Sequence, residues 1–317
     1  MSNVFLLGAG FSKAIHDAMP SLGELSVEVR KLVDQLPPPL PALGSNVELW
    51  LTYLSQPQPW LNERQTLTNK ALFLEMTEKI RDVLDNRTDT VLQTPCPAWL
   101  TKLVEGYWHK AKPAIITFNY DTLVERVCHR DLKYIYPLRL VEASTGMTIP
   151  GNLAGAESLK LLKLHGSVNW YYSGTAPSYG ETLYYYKISR WGQARDDERQ
   201  SKAALKGFAP LIVPPTSEKT TYFQHEMIRH IWAEASRALQ AATHIYCIGY
   251  SMPVTDLSTR YLLLHSRPAG KVPLFVVNTA NDVVPRYKQL VGDAYEIRDD
   301  YVGDDALTRL LGDLLKT

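Results

Sequence analysis

Five short, mostly apolar runs punctuate this chain, and each ends in small or polar residues. Val4-Phe5-Leu6-Leu7 leads into Gly8-Ala9-Gly10. Ala114–Phe118 leads into Asn119-Tyr120-Asp121, and Leu159–Leu164 into His165-Gly166-Ser167. His244–Ile248 leads into Gly249-Tyr250-Ser251, and Pro273–Val277 into Asn278. Runs of this length are those of strands buried on both faces, and stretches with helical spacing lie between them. The alternation predicts an α/β fold with a doubly wound, mainly parallel sheet covered by helices on both sides. A ligand of such a sheet sits beyond the carboxyl ends of its strands, where the strand order reverses. The strand-end segments are therefore the candidate site.

The first of them has a recognisable shape. A strand, a tight Gly8-Ala9-Gly10 turn and a helix beginning near Ser12 let a backbone approach a pyrophosphate closely. A bare tight turn is the other reading of the same residues. The usual third glycine is missing, and Glu24 and Glu28 fall in or beside a helix rather than at the end of a second strand. An ordinary dehydrogenase is disfavoured on both counts.

The rest of the chain falls into place around the strands. Leu25, Val29, Leu32, Val33 and Leu36 share one face of a helix over Leu25–Leu36, which the prolines of residues 37–41 end. Residues 37–112 read as a helical insertion, with helices at Val47–Leu54 and Leu67–Leu84. The stripe Leu72, Met76, Ile80 and Leu84 reads as packing. Residues 1–36 and 113–317 then form the main domain. Its helices are expected over Asp121–His129, 223–241, Asp256–His265, 283–291 and Ala306–Leu315, with a last strand at Tyr295–Ile297. Residues 168–209 read as aromatic and irregular, with a hairpin around Leu183–Ile188. A short strand, Leu211–Val213, is closed by Pro214-Pro215.

Composition excludes several classes of function. With 317 residues there is ample length for a buried core. Lys and Arg number 34 against 33 Asp and Glu, with no basic run, so direct nucleic-acid binding is not expected. No apolar run approaches the roughly 20 residues of a membrane helix. The three cysteines, Cys96, Cys128 and Cys247, form no CxxC pair and cannot build a four-cysteine zinc site. Their odd number, with no signal peptide at the N-terminus, points to a reducing, cytoplasmic setting. Cys128 and Cys247 read as core thiols.

Taken in order, GAG-F-S, TFNYD, KLHGS, GYS and a strand ending in Asn resemble the sirtuin family, whose members carry GAG, TQNID, HG, GTS and a late Asn at these strand ends. The divergent bacterial branch found in antiviral defence matches best, over nearly all of the chain except the insertion. The resemblance implies a Rossmann-like fold that binds NAD. It implies that Gly8, Ala9, Gly10 and Ser12 hold the pyrophosphate and adjoining ribose. Asn119 would hold the nicotinamide ribose or a water, Asp121 the nicotinamide amide, and Gly249, Ser251 and Asn278 the adenosine side. His165 would be the general base.

The residue types suit the chemistry. Breaking the nicotinamide–ribose bond develops an oxocarbenium-like centre, as in glycoside hydrolysis. Nicotinamide leaves from a cationic pyridinium and needs no acid. What remains is to orient a nucleophile, which an Asn amide does, and to accept its proton, which a histidine does near neutrality.

Three departures from the family pattern shape the expectation. Phe118 stands in place of a Gln. The segment Ala14–Pro20 replaces a family motif, GIPDFR. Residues 166–209 contain no cysteine, where sirtuin deacylases carry a zinc ribbon that helps form the acyl-lysine groove. With no ribbon, no zinc is expected and water becomes the acceptor. The expected activity is hydrolysis of NAD to nicotinamide and ADP-ribose, with Asn119 and His165 as the catalytic pair. The family resemblance implies a role in abortive antiviral defence. The chain ends soon after its last strand, so sensing would fall to homo-oligomerisation or to a separate sensor or ATPase partner. The alternatives are a non-catalytic NAD- or ADP-ribose-binding regulator, and a protein deacylase or ADP-ribosyltransferase.

Each of these residues also has a plainer reading. Asn119, Asp121 and Thr122 are common helix caps, and Thr122 with Glu125 forms a capping-box pattern. His165 suits a hydrogen-bonded strand end. Ser251 and Asn278 are turn formers.

Overall fold

The computed structural model describes residues 2–33, 36–37, 39–44, 46–128, 132–134, 140–149, 159–172, 182–213, 225–254 and 256–316. Its main sheet contains seven strands: β1 (Asn3–Leu7), β2 (Ala114–Thr117), β3 (Leu132–Tyr134), β6 (Leu159–Lys163), β10 (His244–Ile248), β11 (Pro273–Asn278) and β12 (Glu296–Val302). All of them pair in parallel, in the order β12-β11-β10-β1-β2-β6-β3. The fold is thus α/β and doubly wound, as the alternation predicted. The chain builds outward from β1 through β2, then returns to lay β10 on the opposite side of β1. The order therefore reverses between β1 and β10, and a ligand crevice is expected there.

The apolar run at the N-terminus explains the central place of β1. Val4 through Leu7 are fully buried, as a strand covered on both faces requires. Phe5 stacks on Tyr246 at 5.0 Å and meets Trp108 edge-on at 5.5 Å. Helices Glu226–Gln240, Leu257–His265 and Val283–Val291 pack in succession. The turn Lys102–Trp108, wound as a π-helix, packs with the helix Ala306–Leu314.

A second sheet, not foreseen from sequence, holds β4 (Leu140–Glu142), β5 (Thr148–Ile149), β7 (Gly166–Tyr172), β8 (Leu183–Tyr185) and β9 (Ala209–Ile212), in the order β5-β4-β8-β7-β9. The stretch expected to be irregular contains strand at 168–172, 183–185 and 209 and a helix at Asp196–Ala203, with irregular segments between them among the described residues. At the expected hairpin, 183–188, the strand is β8, paired antiparallel with the preceding strand β7, with Trp170 opposite Tyr185. The chain passes from the main sheet into the second through Leu164-His165. Gly166 turns at φ +78°, where a Cβ would lie 2.1 Å from the Leu211 carbonyl oxygen.

Helices Leu22–Leu32, Val47–Ser55 and Glu63–Val91 pack on one another, and the last also packs on β7 and β9. Capping boxes open two of them: Ser21 with Glu24, and Asn62 with Gln65. The first begins three residues earlier than its apolar stripe and stops at Leu32. The third extends well beyond Leu67–Leu84, because its polar first turn carries no periodic signal. The first helix of the chain starts at Ala9, with Gly8 as N-cap, rather than near Ser12. The helix after β2 covers Leu123–Cys128, that near 223–241 covers Glu226–Gln240, and β12 runs on to Val302. His129, residues 223–224 and Pro214-Pro215 lie outside the described residues. No described helix is long and apolar enough to cross a membrane.

Candidate functional site

A cavity of about 340 Å³ opens at the carboxyl ends of β1, β2, β6, β10 and β11, and all ten candidate residues line it: Gly8, Ala9, Gly10, Ser12, Asn119, Asp121, His165, Gly249, Ser251 and Asn278. That volume lies within the range of small-molecule sites. Residues separated by up to 270 positions are brought together because parallel strands deliver their ends to one edge.

The turns after β1 and β10 touch backbone to backbone. Gly8 N–H donates to Ile248 O at 3.0 Å, and Gly10 N–H to Gly249 O at 2.9 Å. A Cβ on Gly8 would stand 2.6 Å from Gly249 O, one on Gly10 2.8 Å from Gly249 Cα, and one on Gly249 2.2 Å from Phe11 N. The glycines are thus required by this contact between turns. The amides of Gly8 and Gly10 thus face the protein.

Side chains join the first turn to the segment after β2. Asn119 Nδ2 donates to Gly8 O at 2.8 Å and to Ser12 Oγ at 2.9 Å. Ser12 Oγ in turn donates to Asp121 Oδ2 at 2.6 Å, and Asp121 Oδ1 accepts the Leu123 amide at 3.0 Å. Both amide hydrogens of Asn119 are therefore directed into the protein, and Oδ1 is its remaining acceptor. Asp121 is a helix cap as well as a lining residue. The Thr122–Glu125 capping box does not form, because Glu125 pairs instead with Lys163 at 2.7 Å.

His165 is 6% exposed and sits where the chain changes sheets, its carbonyl accepting Val213 N–H at 2.8 Å. Phe118, Tyr120 and Trp232 surround its ring at 5.6, 6.2 and 6.4 Å between centroids. Phe118 also stacks on Tyr250 at 4.3 Å. Phe118 thus forms an aromatic wall of the cavity. Tyr250 OH donates to Asp256 Oδ2 at 2.9 Å; burial, with that carboxylate beside it, pushes the phenol well above its ordinary value. It stays a donor. Asn278 Oδ1 accepts Ala280 N–H at 3.1 Å, and Ser251 O accepts Arg286 Nη1 at 2.7 Å, so both also shape turns.

The sequence reading missed the opposite wall. Met19, from the segment between the first two helices, and Leu22, Leu25, Glu48 and Leu84, from the helices that precede β2, complete the cavity lining. Leu84 belongs to the stripe read as packing; it packs and lines the cavity at once. The segment Ala14–Pro20, to which no contact was assigned, contributes Met19 and Pro20. No short motif marks these positions, since an apolar helix face looks the same whether it covers protein or ligand. Among the described lining residues there are three carboxylates, Glu48, Asp121 and Asp256, and no Lys or Arg. The described residues contain no cluster of His, Cys, Asp and Glu suited to a metal ion.

No protein-family model matches the chain, and no curated protein matches it. Among solved structures it is similar to a mutant Sir2 homologue in complex with ADP-ribose, at TM-score 0.47 and 14% identity over 99% of this chain and 90% of that one. It is similar to a Sir2 complex with a peptide and NAD+, at TM-score 0.42 and 14% identity over 99% and 92%. A third, Sir2Tm bound to a propionylated peptide, gives TM-score 0.43 and 15% identity over 99% and 92%.

Proposed function

We propose that this chain is a sirtuin-like NAD hydrolase that cleaves NAD to nicotinamide and ADP-ribose. One observation carries the reading: five strand-end segments picked out by their motifs line a single cavity at the point where the strand order reverses. The cavity takes the nicotinamide-ribose end of NAD beside Asn119 and His165. The Gly8–Ser12 turn, Ser251 and Asn278 face the remainder.

The chemistry needs few parts. Asn119, held by Gly8 O and Ser12 Oγ, offers Oδ1 to a water and aims it at the anomeric carbon. The new bond forms from the water oxygen to that carbon. The bond to the pyridinium nitrogen breaks, and its electron pair stays with neutral nicotinamide. His165 takes the water's proton. A base so placed contributes about 10²–10⁴-fold. The broader reading is a cytoplasmic enzyme of antiviral defence, silent until homo-oligomerisation or a separate sensor or ATPase partner releases it.

The test is an incubation with NAD followed by chromatography of products. Wild type yields nicotinamide and ADP-ribose; His165→Ala and Asn119→Ala fall by at least ~10²-fold while staying folded. Equal product from all three removes the assigned pair. NAD binding by every variant with turnover by none favours a second reading, a regulator that holds NAD or ADP-ribose. The internal satisfaction of the Asn119–Ser12–Asp121 chain favours that alternative.

A further inference from the structure

Beneath the cavity lies a buried cation that the hydrolase reading does not use. Lys163 is the last residue of β6, two positions before His165. Its side chain is 1% exposed, and that of its partner Glu125 is 2% exposed. Lys163 Nζ donates to Glu125 Oε1 at 2.7 Å, to Tyr120 O at 3.4 Å and to Asp121 O. One ammonium from the strand that leads to His165 thus holds two consecutive carbonyls of the segment that carries Asn119.

Other contacts cross at the same place. The Tyr120 carbonyl also accepts Val168 N–H at 3.0 Å and Ser167 Oγ at 3.3 Å, both from just beyond His165. Leu164 N–H donates to Thr117 O at 3.0 Å. Lys163 brings a positive charge to this clamp, beside the carboxylates of Glu125 and Asp121. Burial pushes the Glu125 carboxyl upward, while Lys163 opposes that shift. A buried ion pair gives little net stability over an apolar pair of the same volume, so stability alone is a weak reason for one here.

We propose that Lys163 is a positioning residue for the site: its ammonium sets the placement of Asn119 relative to His165 by holding the Tyr120 and Asp121 carbonyls. Its kinetic consequence rests on the hydrolase reading, and its geometric consequence does not. A displacement of about 1 Å at a reacting group can lower a rate by 10²-fold.

The test compares two variants of the full chain. The pair Lys163→Met with Glu125→Met removes both charges together, which buried pairs tolerate. Glu125→Gln keeps the Lys163 nitrogen on the two carbonyls and removes its counter-charge, a cost in global stability that a urea unfolding curve reads separately. Amide hydrogen exchange on residues 118–123 is measured first, since it needs no activity. The double variant should exchange there at least ~10-fold faster while β1 and β10 keep their protection; Glu125→Gln should not. Unchanged exchange in the folded double variant overturns the inference, whether or not the wild type turns over NAD. Where wild type is active, the double variant should lose ~10²-fold in kcat with KM within about threefold, and Glu125→Gln should keep kcat. Equal kcat loss in both variants, or none in either, also overturns it. An inactive wild type that binds no NAD counts against the hydrolase reading alone.

Discussion

Gly249 carries the sharpest constraint of any residue in the site. It turns at φ +62°, and a Cβ there would stand 2.2 Å from Phe11 N and 2.4 Å from Gly10 C. Both obstacles are backbone, so no side chain can swing away. Gly249→Ala should lower stability by about 3 kcal/mol or more, combining left-handed strain with the displaced turn. A urea unfolding curve reads this directly; an unchanged midpoint would mean that the two turns are not held in contact. The glycines were legible in the sequence as a pattern, and their physical reason was not. Gly8-Ala9-Gly10 reads as a turn made for phosphate, whereas the clash distances show a turn made first to admit Gly249, 239 positions away. A contact between two backbones leaves no periodicity, only two sets of glycines. The side chains were more readable. Asn119, His165 and Asn278 end strands, and a parallel sheet sends strand ends to one place.

Among the elements, the lobe of residues 182–213 shows how a cysteine-free segment is fastened. Arg126, from the helix after β2, gives a two-pronged ion pair to Glu198, at 2.8 Å to Oε2 and 2.7 Å to Oε1. Their side chains are 1% and 3% exposed. Arg126 Nη1 also reaches Ser189 O at 2.9 Å, and Ser189 N–H returns to Glu198 at 2.9 Å. Burial alone would raise the Glu198 carboxyl; the hydrogen bonds from Arg126 and Arg195 outweigh it and bring the value down to about 2, from 4.5. A carboxyl depressed on folding contributes stability above its unfolded value, and loses it as pH falls toward its folded value. Stability on the order of 2–3 kcal/mol should therefore disappear between about pH 4.5 and pH 2. Glu198→Gln should cost about 3–5 kcal/mol at neutral pH, by stranding Arg126, and should flatten that part of the acid limb. Thermal melts of both proteins across the range check it; parallel pH profiles would count against the pair. None of this was readable beforehand. β7 and β8 are rich in Tyr and Trp rather than cleanly alternating, and β8 and β9 are only three and four residues long. Their pairing partners lie far apart in sequence, as β4 with β8, so no local turn signal announces them.

Considered whole, the molecule makes its cavity from two sources. The main sheet supplies the strand ends, and the part of the chain before β2 supplies Met19, Leu22, Leu25, Glu48 and Leu84. The helical character of residues 37–112 was apparent from sequence, but its place against the strand ends needed three dimensions. This arrangement bears on which acceptor the proposed reaction uses. Apart from Glu48 these side chains are apolar, and under the proposed hydrolysis the cavity would take the nicotinamide end and a water. Residues 182–213 hold strands and a helix, fastened to the main sheet's helix by the Arg126–Glu198 pair. The reaction should therefore proceed without an acceptor protein. A saturating acyl-lysine peptide should leave the rate of NAD loss within about twofold, with free ADP-ribose as product. An acylated ADP-ribose, or NAD loss that begins only when peptide is added, would replace hydrolysis with acyl transfer. A strong chelator should leave the melting temperature and the rate where they were, because the lobe is fastened by charge and hydrogen bonds. A drop of several degrees, reversed by added zinc, would show that a metal fastens the lobe after all.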